Sequence, residues 1–494
     1  MKAEGREKGI YMENREGFKS RLGFLLVSAG CAIGLGNIWK FPYITGLYGG
    51  GAFVLLYFVS LILLGIPVLS MELAIGRGSG RAIIGGYKAL EKPGTKWHLH
   101  GYVCILGNYL LMMFYVPVTG HLVNYFVNYL TGAMSGISTG AEATAFFENL
   151  MGDNFSMILY SLLVILIGFG VCMIGLQKGV ERITKFMMMG LFALILILVF
   201  RSFTLSGVSE GLKFYLVPNV EAFREYGFGT IMNAAMCQAF FTLAIGIGSM
   251  EIFGSYMSKK KSILTETVTI TILDTLIAIF AGFIIFPACF TYGVDSQGGS
   301  ALIFEALPTV FGNMKGGRIW GALFFLFMSF AALSTVFTVF ENLVASLMES
   351  FGWSRKKATL VNLGIMPVAV LPYIFSMNIW SEVSIFGFNP GGLEDFLVNN
   401  LFLPAGGLLF TLFCCFKAGW GFDAFKAEMN TGAGTKFPGW IRYYLIFVLP
   451  VLIIIVFLQG LSGVARWIFG IISGAAVLLL YIQTIIAMIK GKNK

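Results

Sequence analysis

Two short stretches, GCAIGLGN at 30–37 and LAIGIGS at 243–249, place glycine pairs in the middle of long apolar runs. Glycine inside a helix costs about 1 kcal/mol relative to alanine, and a lone glycine in a membrane helix is usually explained by close helix packing. Two nearly identical segments call for another explanation. They predict two helices that break halfway across a membrane, where freed backbone groups are tolerated only around a buried cavity.

The composition indicates an integral membrane protein. The 494 residues are 57% hydrophobic and only 12% charged, and the mean hydropathy is +0.82. A membrane-spanning helix needs about 20 mostly apolar residues. The sequence predicts twelve such spans, at residues 20–43, 51–75, 101–130, 156–176, 183–203, 227–257, 263–291, 317–350, 358–376, 394–416, 438–459 and 464–490.

The two glycine segments lie in the first and sixth predicted spans, so they divide ten spans into two sets of five. An odd number of spans makes the second set enter the membrane from the opposite side, which predicts inverted repeats. Transporters built in this way bind their substrate near the bilayer midplane, between the paired broken helices. The predicted divisions are an N-terminal gate segment at 1–19, a first repeat at 20–203, a second repeat at 204–416 and a C-terminal part at 417–494.

The charge distribution predicts the orientation of the chain. The net charge is +9, but the excess lysines and arginines lie in alternate loops, which is the positive-inside pattern. Both termini are therefore expected in the cytoplasm, with the bilayer rather than a nucleic acid as the partner. Short external loops favour a prokaryotic inner membrane, and the sequence is compatible with a homodimer. Walker A and HExxH patterns are absent from the sequence, so an enzyme is not expected.

The motifs carry a family resemblance. The stretch RLGFLLVSAGCAIGLGNIWKFPYITGLYGGGAFVLLYF at 21–58, with MELAIGR at 71–77, QAFFTLAIGIGS at 238–249 and GWSRKKA at 352–358, resembles the neurotransmitter:sodium symporter family, in its bacterial amino-acid branch. The resemblance covers essentially the whole chain. It implies an all-α membrane protein with the LeuT fold: twelve transmembrane helices, a 5+5 inverted repeat, and discontinuous helices 1 and 6. It also implies a sodium-coupled symporter that works by alternating access.

The resemblance implies two sodium sites made of oxygen ligands, which hard cations prefer. The first would use Ala32, Asn37, Thr242 and Asp274. The second would use Gly30, Ile33, Ala331, Ser334 and Thr335. Taken alone, the two hydroxyl side chains of the second set are better explained by hydrogen bonds to carbonyls of their own helix.

Asp274 departs from the pattern of animal members of the family. Those members usually carry asparagine at this position and bind chloride nearby, with a serine at the position of Ala278. A carboxylate inside a membrane is expensive and indicates a function. We therefore expect Asp274 to supply the negative charge that chloride supplies elsewhere, so that two sodium ions and no chloride are needed.

The substrate site is implied around Gly34, where amine-transporting relatives carry an aspartate. The missing side chain leaves room for a substrate carboxylate, which predicts an α-amino acid. The implied substrate-binding residues carry no charged side chain: Ala32, Gly34, Leu35, Gly36, Leu111, Tyr115, Phe241, Thr242, Ala244, Ile247, Thr335 and Val339. A neutral, hydrophobic L-amino acid, aliphatic or aromatic, is expected. A small amino acid or another osmolyte, and a receptor-like member that does not transport, are the alternatives.

Alternating access requires a gate on each side of the site. The resemblance implies an outer gate in which Lys40 pairs with Asp395, or with Glu394 as a second candidate, together with an aromatic lid of Tyr115 and Phe241. The inner gate would use Arg15, Phe18, Tyr256 and Glu349. Arg15 is also explained by the positive-inside pattern alone. Glu72 is expected to accept hydrogen bonds from backbone freed at the first break.

Overall fold

The protein is helical. A computed structural model describes residues 17–134, 136–295, 302–461 and 463–492. The main helices are α1 (Arg21–Ala32), α2 (Phe41–Leu47), α3 (Gly51–Ser79), α4 (Ile83–Leu90), α5 (His98–Thr131), α6 (Gly140–Gly152), α7 (Asn154–Ile174), α8 (Leu176–Ser202), α9 (Val208–Leu216), α10 (Phe228–Thr242), α11 (Glu251–Tyr256), α12 (Ile263–Tyr292), α13 (Leu307–Asn313), α14 (Gly317–Phe351), α15 (Arg355–Ser376), α16 (Pro390–Cys415), α17 (Phe422–Met429), α18 (Ile441–Gln459) and α19 (Gly463–Lys492).

Nine helices in the described part of the chain are long and apolar enough to cross a membrane, namely α3, α5, α7, α8, α12, α14, α15, α16 and α18. Helix α1 and the segment Gly36–Leu47 form a tenth when they are counted as one bent span. The sixth predicted span is divided between α10 and α11, and the twelfth overlaps α19. The predicted all-helical membrane architecture is thus confirmed.

The first break separates α1 from the helical segment that follows. Ser20 caps α1 by accepting a hydrogen bond from the Gly23 amide at 3.0 Å, and α1 ends at Ala32 because Ile33 adopts an extended backbone with ψ of 98°. A π-turn at Gly36–Lys40 then leads into α2. The two helical directions differ by 53°, as the first glycine segment predicts.

The second break covers residues 243–250, between α10 and α11. Gly246 and Gly248 have φ angles of 105° and 68°, a region that side chains with a Cβ atom disfavour. Ala244 has φ of 50°, so one residue with a Cβ atom also adopts this conformation. The glycine pair of the second segment is therefore required by the backbone.

Helix α14 forms the centre of the structure and is the most thoroughly buried of the nine long helices. It packs along α5, where the Phe325 ring lies 4.8 Å from the Tyr125 ring and 5.5 Å from the Tyr129 ring. Ser334 and Thr335 lie on the same helix and face α1. The core thus places α14 directly beside the first break.

Candidate ion and substrate sites at the helix breaks

Glu72 of α3 stabilises the second break. Its side chain is fully buried and accepts hydrogen bonds from the Gly246 amide at 2.5 Å and the Met250 amide at 3.2 Å. The expectation that Glu72 serves the first break is wrong, because α3 packs along α11. A carboxylate here satisfies backbone donors that would otherwise be costly in a bilayer.

Three buried side-chain amides, which the sequence did not single out, satisfy carbonyls freed at the breaks. Gln238 donates to the Gly36 carbonyl at 2.7 Å, Asn108 to the Ile247 carbonyl at 2.7 Å, and Asn342 to the Gly248 carbonyl at 3.3 Å. The Asn108 and Asn342 amides replace helical donors that the break removes, whereas the Gly36 carbonyl also accepts from the Phe41 amide. In the sequence, these three residues could have been recognised as amide side chains that lie within otherwise apolar runs.

Three of the four residues predicted for the first sodium site meet between the breaks. Asn37 Nδ2 lies 2.8 Å from Asp274 Oδ1, and Thr242 Oγ1 lies 3.2 Å from Asp274 Oδ2. All three side chains are fully buried. Ala32 borders the neighbouring cavity, as does Gly34, whose amide donates to Asn37 Oδ1 at 3.2 Å. Asn37, Thr242 and Asp274 each carry a side-chain oxygen, the ligand atom that a hard cation prefers.

The Asp274 carboxylate has polar neighbours but no positive one. Within the described ranges it forms no ion pair with lysine, arginine or histidine. A buried carboxylate that lacks a compensating charge is strongly disfavoured. The surroundings of Asp274 therefore fit a bound cation, and the Thr242 hydroxyl beside it offers a neutral oxygen that suits sodium.

All five residues predicted for the second sodium site converge between α1 and α14. Ser334 Oγ lies 2.9 Å from the Gly30 carbonyl, 3.5 Å from the Ile33 carbonyl and 2.7 Å from the Ala331 carbonyl. Thr335 Oγ1 lies 3.3 Å from the Gly30 carbonyl and 3.4 Å from the Ile33 carbonyl. The Ser334 contact within its own helix exists, but both hydroxyls also reach across to α1.

A small cavity of about 20 Å³ lies between the two breaks, room for about one water molecule. Its lining carries no charged side chain. It consists of Cys31, Ala32, Gly34, Gly36, Leu111, Tyr115, Phe241, Ala244, Thr335 and Leu403.

Eight of the predicted substrate-binding residues line this cavity, and four do not. Leu35 contacts it indirectly, since its amide donates to the Tyr115 hydroxyl at 3.0 Å. Thr242 faces Asp274 instead. Ile247 and Val339 are fully buried elsewhere in the core, and the Ile247 side chain packs against Gly107 of α5. Cys31 and Leu403 line the cavity without having been predicted.

Gly34 is more crowded than Gly36, the other glycine of the cavity wall. A Cβ atom there would collide with the Tyr115 hydroxyl and lie 2.5 Å from Thr335 Oγ1. The Tyr115 ring is itself held by the hydrogen bond from the Leu35 amide. Glycine at 34 thus creates the space in which these polar groups meet.

The outer gate residues are connected through an intermediate that the sequence did not predict. Lys40 Nζ donates to Asn399 Oδ1 at 2.9 Å, and Asn399 Nδ2 donates to Asp395 Oδ1 at 2.7 Å. Lys40 Nζ also lies 4.0 Å from the centre of the Phe241 ring. The expected direct pair of Lys40 with Asp395 is wrong for this structure, because Asn399 lies between them. Glu394 is buried and forms no ion pair with Lys40 in the described structure.

The inner gate prediction is only partly covered by the structure. Phe18 packs against Tyr256 with ring centres 5.9 Å apart and against Phe253 at 6.3 Å. The Glu349 carboxylate accepts a hydrogen bond from the Ala82 amide at 2.8 Å. Arg15 lies outside the described residues, so its pairing with Glu349 stays a prediction.

A buried ion pair near these residues was missed by the sequence analysis. Arg355 donates to both carboxylate oxygens of Glu341, at 2.7 and 2.9 Å, and Tyr256 donates to the same carboxylate at 3.3 Å. Glu341 is fully buried. The pair joins α14 to the start of α15, and the basic run at 355–357 was its only sequence signal.

An Arg355→Gln variant is expected to lose about 3–5 kcal/mol of stability, because it leaves the Glu341 carboxylate buried and unpaired. Thermal melting in detergent measures the loss. The Glu341→Gln/Arg355→Gln double variant should recover part of it, as coupled residues are not additive. Equal melting temperatures for Arg355→Gln and the parent would contradict this assignment.

Comparison with known proteins decides the family. The Sodium:neurotransmitter symporter family matches residues 15–144 and 147–488. The chain belongs to this family. It is therefore a sodium-dependent transporter with several membrane spans, and not an enzyme.

Relatives within the sodium:neurotransmitter symporter family cover most of the chain. An uncharacterized sodium-dependent transporter of Bacillus subtilis, YhdH, is 36% identical, over 89% of this chain and 96% of that protein. The taurine transporter of Rattus norvegicus, named sodium- and chloride-dependent, is 26% identical over 90% of this chain and 78% of that protein. The crystal structure of MhsT in complex with L-phenylalanine aligns with a TM-score of 0.82 and 35% identity, over 91% of this chain and all of that one (100%).

Proposed function

We propose that the protein imports neutral, hydrophobic L-amino acids together with sodium by alternating access. The observation that carries the proposal is an uncharged cavity at two helix breaks, beside a buried carboxylate without a cationic partner. A charged substrate side chain in such a cavity would cost several kcal/mol. A sodium ion at Asp274 compensates the carboxylate and attracts the substrate carboxylate.

The substrate backbone is expected to bind at the first break. Its carboxylate lies in the space beside Gly34 that Tyr115 borders, and its ammonium meets carbonyls at the ends of α1 and α10. MhsT, which is 35% identical, has been crystallised with L-phenylalanine, and this supports an amino acid with an apolar side chain. Broad selectivity is expected, since one methylene is worth only about 1–3 kcal/mol in an apolar pocket.

Two sodium ions are expected per transport cycle, and no chloride. The first binds at Asn37, Thr242 and Asp274 with the Ala32 carbonyl. The second binds between α1 and α14, where the carbonyls and hydroxyls described above supply the ligands. The fixed negative charge of Asp274 replaces an anion, in contrast with the chloride-dependent taurine transporters.

The outer gate and the inner gate close in turn around this site. Lys40, Asn399 and Asp395 close the outer side, and Phe18 with Tyr256 closes the inner side, to which Arg15 and Glu349 also contribute. This scheme takes residues 20–203 and 204–416 as inverted repeats within twelve spans. It places both termini in the cytoplasm, and residues 417–494 lie outside the repeats.

Uptake into proteoliposomes tests the proposal. L-Phenylalanine uptake is expected with an inward sodium gradient, and it should vanish when potassium replaces sodium. Replacing chloride with gluconate should leave uptake unchanged. L-Alanine, taurine and L-lysine serve as competitors. Preferential inhibition by taurine would favour the osmolyte alternative, and absence of any sodium-dependent uptake would favour a receptor-like role.

A Ser334→Ala variant is expected to weaken the apparent sodium affinity about tenfold, the equivalent of 1.4 kcal/mol for one lost ligand. Ser329→Ala is the matched control, because this buried hydroxyl on the same helix bonds only to the Phe325 carbonyl in the described structure. Sodium titration of substrate binding measures both. A control that weakens sodium binding as much as Ser334→Ala would reject the second site.

A further inference from the structure

Helix α16 connects the outer gate to the cavity along one face. Asp395, Asn399 and Leu403 recur at every fourth position, so they lie on the same side of the helix. Asp395 and Asn399 are hydrogen bonded to each other, and Leu403 lines the cavity. The gate residues and a wall of the cavity therefore belong to one rigid element.

The backbone around Leu403 packs directly against the second break. A Cβ atom built on Gly246 would lie 2.8 Å from both the Cα and the carbonyl carbon of Leu403. The backbones of α16 and of the second break are thus in direct contact. Pro404 follows at the start of a new α-helical segment. A bulky group in the cavity would therefore press on α16 at Leu403.

Lys40 contacts two residues of the cavity and gate, Phe241 and Asn399. It lies over the ring of Phe241, which also lines the cavity, and it donates to Asn399. Asn399 is buried and uses both ends of its amide, one toward Lys40 and one toward Asp395. A shift of α16 would change the hydrogen bond from Lys40 to Asn399, while the bond from Asn399 to Asp395 lies within the helix and moves with it.

We propose that Leu403 is a specificity-determining residue that limits the size of the substrate side chain. We also propose that Asn399 couples the position of Leu403 to the outer gate, so that the size of the bound side chain affects how far the gate closes. This inference rests on the proposed function and names the residue that selects among its substrates. The substrate class is neutral amino acids graded by side-chain volume.

Competition assays test the first half. L-Tryptophan and L-alanine compete with L-phenylalanine for uptake, and the ratio of their inhibitory potencies is measured. In Leu403→Ala this ratio should change by about tenfold or more in favour of L-tryptophan, as expected for apolar volume in a pocket. Leu403→Val should change this ratio less, in the same direction. It serves as the test if the alanine variant does not fold. Leu412→Ala, a buried leucine of the same helix outside the cavity, should leave the ratio unchanged.

An unchanged ratio in both Leu403 variants, with uptake retained, overturns the selectivity role and leaves the proposed function intact. No uptake by the parent protein would reject the proposed function instead. The two failures are therefore distinguishable.

Cavity labelling tests the second half. Cys31 lines the cavity, so an impermeant thiol reagent applied outside reports opening of the outer gate, with Cys31→Ala giving the background. In the parent, bound L-phenylalanine and bound L-alanine should protect Cys31 to different degrees. In Asn399→Ala labelling should rise about tenfold, since a hydrogen bond to a charged group is lost, and the difference between the two substrates should disappear.

Asn400→Ala is the control for labelling, because Asn400 donates to the Gly460 carbonyl and not to the gate. It should retain the difference between the two substrates. An Asn399→Ala variant that keeps this difference at the parent labelling rate would overturn the transmission role.

Discussion

Gly34→Ala is expected to reduce sodium-dependent amino-acid uptake by about a hundredfold, because overpacking a buried site costs about 1–3 kcal/mol and each 1.4 kcal/mol is a factor of ten. The added Cβ atom would occupy the space between the Tyr115 hydroxyl and Thr335 Oγ1. It would displace the group that holds the Leu35 amide and fill the space assigned to the substrate carboxylate. Initial uptake rates over a range of L-phenylalanine concentrations measure the loss.

Gly170→Ala is the matched control for this variant. Gly170 lies on the apolar helix α7, and a Cβ atom there would meet no atom within 4 Å. Its uptake should equal that of the parent. If Gly34→Ala retained more than half of the parent uptake rate, the proposed position of the substrate carboxylate beside Gly34 would be rejected.

Asp274→Asn is expected to abolish uptake in chloride-free medium, with a loss of about a hundredfold in sodium affinity. The substitution removes the only charged side chain proposed to bind the first sodium ion, and buried charge interactions are worth several kcal/mol. Adding Ala278→Ser to this variant should restore part of the uptake in chloride and none in gluconate. Substrate-coupled sodium binding in the two media measures the effect.

Ala278→Ser alone is the control, since it adds a hydroxyl and leaves the carboxylate in place. Its uptake should stay independent of chloride. Unchanged uptake by Asp274→Asn in gluconate, without any gained response to chloride, would refute the charge replacement.

Sequence reasoning succeeded where a short motif fixes its own geometry. The carbonyls of Gly30 and Ile33 belong to the motif that breaks the first helix, so their exposure follows from the break itself. Ser334 faces them because α14 is an uninterrupted helix with a fixed period. Helix boundaries were less accurate: α16 begins at Pro390, ahead of the predicted 394, because Asn389 caps it by accepting from the Gly392 amide at 2.8 Å.

Sequence reasoning failed where the partner is chosen by packing between distant segments. Lys40 has a long, flexible side chain, and which acceptor it meets depends on how α16 approaches the first break. Ile247 lies in a segment without helical period, so its direction does not follow from its position in the sequence. Glu72 was assigned to the wrong break because two breaks with the same motif offer the same unsatisfied donors.

The second break is held from three separate helices, by Glu72 of α3, Asn108 of α5 and Asn342 of α14. Backbone that has left the helical pattern is thus hydrogen bonded to three neighbouring helices. In the proposed transport cycle, we infer that α10 and α11 turn about this fixed segment. The proposed substrate site then lies beside the part of the span that moves least.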